Sequence, residues 1–418
     1  MSLIKPFRAL RPVPELASQI AELPYDVMNT QEARELLKEN PLSFIQVTKA
    51  EATLPEGTPE NDPKVYAKAK ENLAGYLAKK QMKQDPTPCY YIYRQQMGTY
   101  IQIGLVATAS IQEYRENLIK KHELTRADKE QDRINHIMAT QAQTGPVFLA
   151  YKSKGLLNAL LLKYMSNHQP VYDFTAKDGI KHTLYMVNDP VRITEITELF
   201  KQVPAMYIAD GHHRSAAAML VADQLAKRPG QSGKEEYNYF LAVIFPEKML
   251  HILDYNRVVK DLNGLTVKDF LTKVESKFIV EPQEKTFKPQ EMHVFGMYIG
   301  GKWYKLISKP ESFQAADPID SLDVSILQNN LLAPLLKIGN PRTDKRIAFV
   351  GGIRGLGALE QKVASGEYAV AFALYPTTME QLMAVADKGL TMPPKSTWFE
   401  PKLRDAMAIH LIGDEQDE

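Results

Sequence analysis

The stretch Ala205-Met206-Tyr207-Ile208-Ala209-Asp210-Gly211-His212-His213-Arg214-Ser215-Ala216-Ala217-Ala218-Met219-Leu220 passes from a short apolar run, through a glycine, into an alanine-rich segment. An apolar run of this length bounded by glycine reads as a buried strand, and the alanines that follow read as a helix. The stretch therefore predicts a strand, a turn and a helix start in succession. Two imidazoles and a guanidinium crowd that turn. The free N–H groups and positive dipole end of a helix already favour an anion; Gly211 lets the backbone approach it, and Arg214 offers forked donors. A phosphate site is the expectation, built from Gly211, His212, His213, Arg214 and the adjoining Ser215.

Quieter readings stand beside it. His212 and His213 can cap the helix and pack under the sheet. Alternatively, Asp210 and one histidine can hold a divalent ion, although the spacing matches no two-histidine helix pattern. Mg2+ bridging phosphate oxygens asks for only one or two carboxylates, so Asp210 is the expected contact for a Mg2+ cofactor.

A second polar cluster lies upstream: Lys120-Lys121-His122-Glu123-Leu124-Thr125, then a helical pattern from Arg126 to Gln143, then the strand-like run Pro146 to Tyr151. Lys129, Asp132, Arg133 and His136 recur at helical spacing and share one face. A solvated face laced with ion pairs explains that pattern. The other explanation is positional, because two strand-loop-helix segments often bring their loops to one end of a sheet.

Elsewhere the pattern is mixed. Phe44-Ile45-Gln46-Val47 reads as a strand, Val65 to Lys80 as a helix, and Leu54 to Pro63 as a proline-rich loop. Tyr90 to Tyr93 and Tyr100 to Ala109 read as a hairpin turning near Gly98. Asp26, after Pro24-Tyr25, sits at an expected turn, either bonding local backbone N–H groups or supporting a site. Met392-Pro393-Pro394-Lys395-Ser396-Thr397 is rigid and extended. It either presents Lys395 to an anion or only fixes the chain as it crosses the core. The run Gly351 to Gly357 mimics a dinucleotide-binding turn, but its glycine pattern is approximate and no Walker-type loop occurs, so a strand-to-helix connection is expected there.

Composition narrows the function classes. Lys plus Arg number 51 against 50 acidic residues in 418, which leaves no net basic field for nucleic acid or an acidic membrane. Cys89 is the only cysteine, so neither an internal disulfide nor a thiolate-rich metal site can form. With no signal-like N-terminus and no bilayer-length apolar run, a cytoplasmic protein without membrane partners is expected.

The order His-Glu, helix, Pro-Val-Phe-Leu strand and Asp-Gly-His-His-Arg helix start resembles the ParB/sulfiredoxin superfamily, in particular its free serine kinases. That resemblance covers Tyr114 to Ala226. A longer resemblance joins Pro24-Tyr25-Asp26-Val27, Lys121-His122-Glu123-Leu124-Thr125, the Asp-Gly-His-His-Arg turn and Met392-Pro393-Pro394-Lys395-Ser396-Thr397. It is to a widespread bacterial and archaeal family long catalogued without a function, some of whose members are serine kinases. The resemblance implies that Asp210 to Arg214 bind phosphate and that Glu123 is the general base toward serine. It also implies that the redox chemistry of sulfiredoxins is lost, because His212 stands where they carry a cysteine. ParB proteins add a basic helix-turn-helix, which this chain lacks.

The expectation is thus an α/β protein with mixed sheets. It would have an N-terminal segment over 1–115, a ParB/sulfiredoxin-like core over 116–260 and a C-terminal segment over 261–418 completing the site. The expected activity is phosphorylation of free L-serine to O-phosphoserine, with pyrophosphate or a nucleotide (ADP or ATP) as donor. Glu123, Asp210, His212, His213 and Arg214 would be catalytic. Lys121, Arg133 and Lys395 would add charge toward phosphate, and Asp26, His122 and Thr125 would contact substrate. The alternatives are a phosphate- or nucleotide-binding regulatory module without turnover and a metal-dependent phosphohydrolase.

Overall fold

The computed structural model describes residues 4–153 and 155–413. It is a mixed α/β chain with two compact units: Met1–Leu250 together with Pro401–Glu418, and His251–Glu400.

The first unit is built on a nine-stranded sheet. Its strands are β1 (Ile4–Lys5), β2 (Tyr90–Met97), β3 (Tyr100–Ser110), β4 (Ile119–Lys120), β5 (Val147–Tyr151), β6 (Tyr172–Thr175), β7 (Lys181–Val187), β8 (Met206–Asp210) and β9 (Tyr239–Pro246). They lie in the order β4-β8-β5-β9-β3-β2-β7-β6, with β1 pairing β3 outside that path. The β2–β3 hairpin forms across Gly98-Thr99 as expected, pairing Met97 with Tyr100. Two parallel pairs position the loops at one end of this sheet. β8 runs parallel to β4, with Met206 opposite Ile119, and β9 runs parallel to β5. A parallel pair sends both chains out at the same edge, so whatever follows β4 emerges beside whatever follows β8.

Three helices cover the sheet near that edge: α1 (Pro63–Ala78), α2 (Ala127–Thr140) and α3 (His212–Leu225). α2 packs on α3 and on α1. Ala217, Ala218, Val221 and Ala222 of α3 join Leu149, Ile208 and Ile244 of the sheet in one apolar core. Alanines there combine high helix propensity with small volume, which lets the helix lie close on the strands.

The strand expected at Phe44 to Val47 is instead a one-turn helix, Ile45–Thr48. The reason is burial on more than one side. Phe44 and Val47, three apart and so on one helical face, enter a cluster with Leu10, Ile20 and Tyr76, while Ile45 packs with Ala33 and Ala52. A short run that is apolar all round does not report its own period.

The second unit carries a six-stranded sheet of β10 (Tyr255–Val259), β11 (Phe278–Gln283), β12 (Val294–Ile299), β13 (Lys302–Ser308), β14 (Ile347–Gly351) and β15 (Val370–Ala373). Their order is β11-β13-β12-β15-β10-β14. The glycine run after β14 is a strand-to-helix connection, passing through a 3-10 turn at Gly352–Arg354 into the helix Gly357–Ala364. Among the described residues, no helix is long and apolar enough to cross a membrane.

Candidate active site

β8 ends at Asp210, and Gly211 turns the chain into α3 with φ of 100°. Only glycine takes that backbone conformation without strain. A Cβ there would also stand 3.3 Å from both Arg214 Nε and the Val147 Cα. The turn delivers His212, His213 and Arg214 into the first turn of α3, where N–H groups lack helical partners. The neighbouring parallel strand β4 releases Lys121, His122 and Glu123 at the same edge.

His212 and His122 meet edge to face, with ring centroids 4.5 Å apart and planes at 90°. The His122 backbone N–H reaches His212 Nε2 at 3.5 Å. With Nε2 accepting, the neutral ring carries its proton on Nδ1, and Nδ1 lies 3.8 Å from Glu123 Oε2. The expected meeting of Glu123 with the histidine turn is therefore present. Both rings are buried while Glu123 is exposed. Burial pushes His122 down to about 4, and burial followed by the nearness of His122 holds His212 well below the ordinary imidazole range. His213 is lowered too, chiefly by burial, and its Nε2 accepts the Arg126 N–H at 3.1 Å. At neutral pH the imidazoles are uncharged. Positive charge comes instead from Arg214 and from Lys402.

Lys402 was not anticipated from sequence. Its Nζ pairs with Asp210 Oδ2 at 3.0 Å, and Arg214 lies 3.9 Å from Asp210 Oδ1. Burial raises the proton affinity of Asp210, but the charges of Lys402 and Arg214 outweigh it and hold the carboxyl well below its usual range. Gln95 and Gln102 fix the incoming segment by donating to the Lys402 and Pro401 carbonyls, at 2.8 and 3.4 Å. Arg214 also donates to the Pro146 carbonyl. These contacts bear on the Mg2+ expected at Asp210. The carboxylate already serves two cations, and no cluster of three or more metal-ligating side chains occurs among the described residues. Among the described residues, the side chains form no protein-only cage for an ion at Asp210.

The remaining expected site residues divide. Tyr25 lies in a 3-10 turn, Tyr25–Val27, and its ring receives the Arg133 guanidinium at 3.9 Å. Asp26, in the same turn, acts electrostatically on both His213 and Arg214. Arg133 is paired with Asp132 at 2.7 Å, so it is held behind the turn. Lys121 lies over the Tyr114 ring at 4.3 Å, and Thr125 donates to Glu130. Ser215 spends its hydroxyl on the Gly211 and His212 carbonyls and its N–H on Gly211, inside the helix. His122 is turned toward His212 and the carbonyl of Ile208. Lys395 belongs to the second unit. There it is exposed, its Nζ is 5.6 Å from the Tyr255 ring centre, and its carbonyl accepts from Arg257 at 2.9 Å. Phe399 is buried beyond it.

Residues 4–325 match the model of a family described as a protein of unknown function, DUF1015. Three solved structures overlap the chain loosely. A conserved hypothetical protein from Pyrococcus furiosus is 15% identical, covering 73% of this chain and 95% of its own, with a TM-score of 0.35. A free serine kinase in complex with AMP is 13% identical, covering 70% and 86%, with a TM-score of 0.34. SbnI with a C-terminal truncation, from Staphylococcus aureus, is 12% identical, covering 75% and 90%, with a TM-score of 0.38. At that level the overlaps define neither site nor chemistry. No curated protein matches the sequence.

Proposed function

This chain belongs to the DUF1015 family, and we propose that it is a phosphotransferase whose acceptor is the hydroxyl of free L-serine and whose donor is pyrophosphate or a nucleotide, ADP or ATP. The observation that carries the reading is the 3.8 Å approach of Glu123 Oε2 to His212 Nδ1. It puts an exposed carboxylate across from a helix start that holds Arg214 and lies beside Lys402.

Phosphoryl transfer asks little covalent work of a protein and much positioning. In this reading, the donor phosphates lie on the first N–H groups of α3, with Arg214 and Lys402 opposing their charge. The serine oxygen attacks the terminal phosphorus as the bond from phosphorus to the departing phosphate oxygen breaks. The hydroxyl proton passes to Glu123. His212, neutral and with a hydrogen on Nδ1, faces that carboxylate at 3.8 Å without competing for its proton. No step passes through a metal ion.

The test is a matrix of L-serine and other small hydroxyl compounds against pyrophosphate, ADP and ATP, followed by phosphorus NMR. O-phosphoserine forming only when serine and one donor are both present supports the reading. A donor that binds but is never consumed marks a binding module, and phosphate release indifferent to serine marks a hydrolase; either result overturns it.

A further inference from the structure

A cavity of about 30 Å3 lies within the first unit, with Arg214 and Ala218 of α3 in its wall. It has room for roughly two or three water-sized groups, far less than a nucleoside requires. Its wall brings opposite charges together: Arg133 and Arg214 on one hand, Asp405 on the other, with Tyr25 and Thr48 beside them. Arg214 belongs both to this wall and to the first turn of α3, so the cavity and the proposed active site share a residue.

Two polar atoms of the lining residues are left over by the protein's own hydrogen bonding. Asp405 Oδ1 and Thr48 Oγ1 are buried with no partner, in side chains whose residues are 2% and 4% exposed. Buried polar atoms are ordinarily satisfied, so two in one cavity wall call for a polar partner. The Asp405 carboxyl is also cradled by Gly145, where a Cβ would fall 2.6 Å from Oδ1. Only the absence of a side chain at 145 makes room for it.

We propose that this cavity binds the charged head of a free amino acid, its carboxylate on the Arg133 and Arg214 guanidiniums and its ammonium on Asp405 Oδ1 and Thr48 Oγ1. The identity of the amino acid as serine rests on the function proposed above; the binding of a zwitterion does not. Charge favours a zwitterion over phosphate. Asp405 lies close to the Asp26 and Glu22 carboxyls as well as to Arg214 and Arg133, and Arg404 beside it is engaged with Glu22 and Asp178. A dianion would meet those three carboxyl groups, whereas a zwitterion brings its own cation to them. Burial pushes Asp405 up to about 7, with Asp26 and Glu22 adding to the effect against the pull of the arginines. An arriving ammonium favours the ionised carboxylate, so binding releases a proton near neutrality and strengthens as pH rises from 6 to 8.

The experiment is calorimetric titration of the full chain with glycine, L-serine, ethanolamine, 3-hydroxypropionate and inorganic phosphate, in buffers of different ionisation enthalpy. Glycine and serine are expected to bind with proton release near pH 7, the two half-ligands at least tenfold more weakly, and phosphate, which the α3 start takes, should displace glycine at least tenfold less well than serine does. Asp405→Asn keeps the shape of the neutral acid. It should weaken glycine binding at least tenfold and abolish proton release while leaving pyrophosphate and ADP binding unchanged. Thr48→Val supplies the same comparison if the first variant does not fold. Unchanged glycine affinity in the folded variant, or displacement of bound glycine by phosphate as readily as by serine, overturns the proposal. Glycine binding that meets these terms in a protein that never phosphorylates serine would sink the kinase and leave the cavity standing. Serine phosphorylation with an unaltered KM in Asp405→Asn would do the reverse.

Discussion

Lys402 and Asp210 form an ion pair at 3.0 Å that ties the C-terminal return of the chain to the turn between β8 and α3. The pair shapes the charge of the proposed site, because it leaves Asp210 ionised and offset by Lys402 and Arg214. Asp210 is held below its ordinary value, so its contribution to stability is present above the normal aspartate range and is lost as pH falls through the lowered value. Lys402→Met should therefore cost about 1–2 kcal/mol at pH 7, the modest figure reflecting the solvent that still reaches the pair. Urea unfolding at pH 7 and at pH 5.5 tests this. The gap between variant and parent should be the same at both, because Asp210 stays ionised across that window, and pyrophosphate binding at pH 7 should weaken.

Glu123→Gln keeps the size of the side chain and removes its capacity to take a proton. Because Glu123 is exposed, unfolding should move by no more than about 0.5 kcal/mol. The rate of serine phosphorylation should fall by about 100-fold or more, the usual contribution of a positioned base. A variant that phosphorylates serine at the parental rate would remove Glu123 from the mechanism.

Buried histidines give the molecule an acid liability. Burial holds His122 at about 4, and burial followed by the Arg133 charge holds His136 at about 4. Both are neutral in the folded chain and become charged in the unfolded chain below about 6.5, so stability is full above that pH and drains away between 6.5 and 4. Each can contribute up to about 3 kcal/mol to that loss. Urea midpoints measured from pH 7.5 to 4.5 should decline steadily, and the decline should be shallower in His136→Gln.

Gly211→Ala tests the turn itself. The substitution forces an L-residue into φ of 100° and sets a methyl 3.3 Å from the Val147 backbone, a cost of about 1–3 kcal/mol. It should also move His212 off Glu123. The expected result is a lower unfolding midpoint together with loss of phosphoserine formation, whereas a glycine-to-alanine change at exposed Gly57, which has open space around it, should cost stability alone.

What could be predicted from sequence was local. β8, Gly211 and α3 follow one another within twenty residues, and an apolar run, a glycine and an alanine-rich segment carry their own structural preferences, so the strand, turn and helix start were legible along with the His-His-Arg cluster. The helices near 63–78 and 127–140 and the hairpin across Gly98 were legible for the same reason. Periodicity failed at Phe44 to Val47, where burial on several sides erased it.

The encounter of Glu123 with His212 was expected only as a tendency of loops to gather at a sheet end. It depends on β4 pairing parallel to β8, a contact between segments almost ninety residues apart. Lys402 and Asp405 carried no readable signal at all, since they lie in a stretch without periodicity and gain their partners only when the C-terminal segment returns to the first unit. By itself the sequence determined which residues make the strand-to-helix turn and that the turn holds no cysteine. Tertiary structure decided which charges face that turn, that its imidazoles are neutral, and that Asp210 serves a lysine. The physical reason is that backbone preference acts within a few residues, whereas desolvation and Coulomb interaction depend on whatever the folded chain brings within a few ångströms.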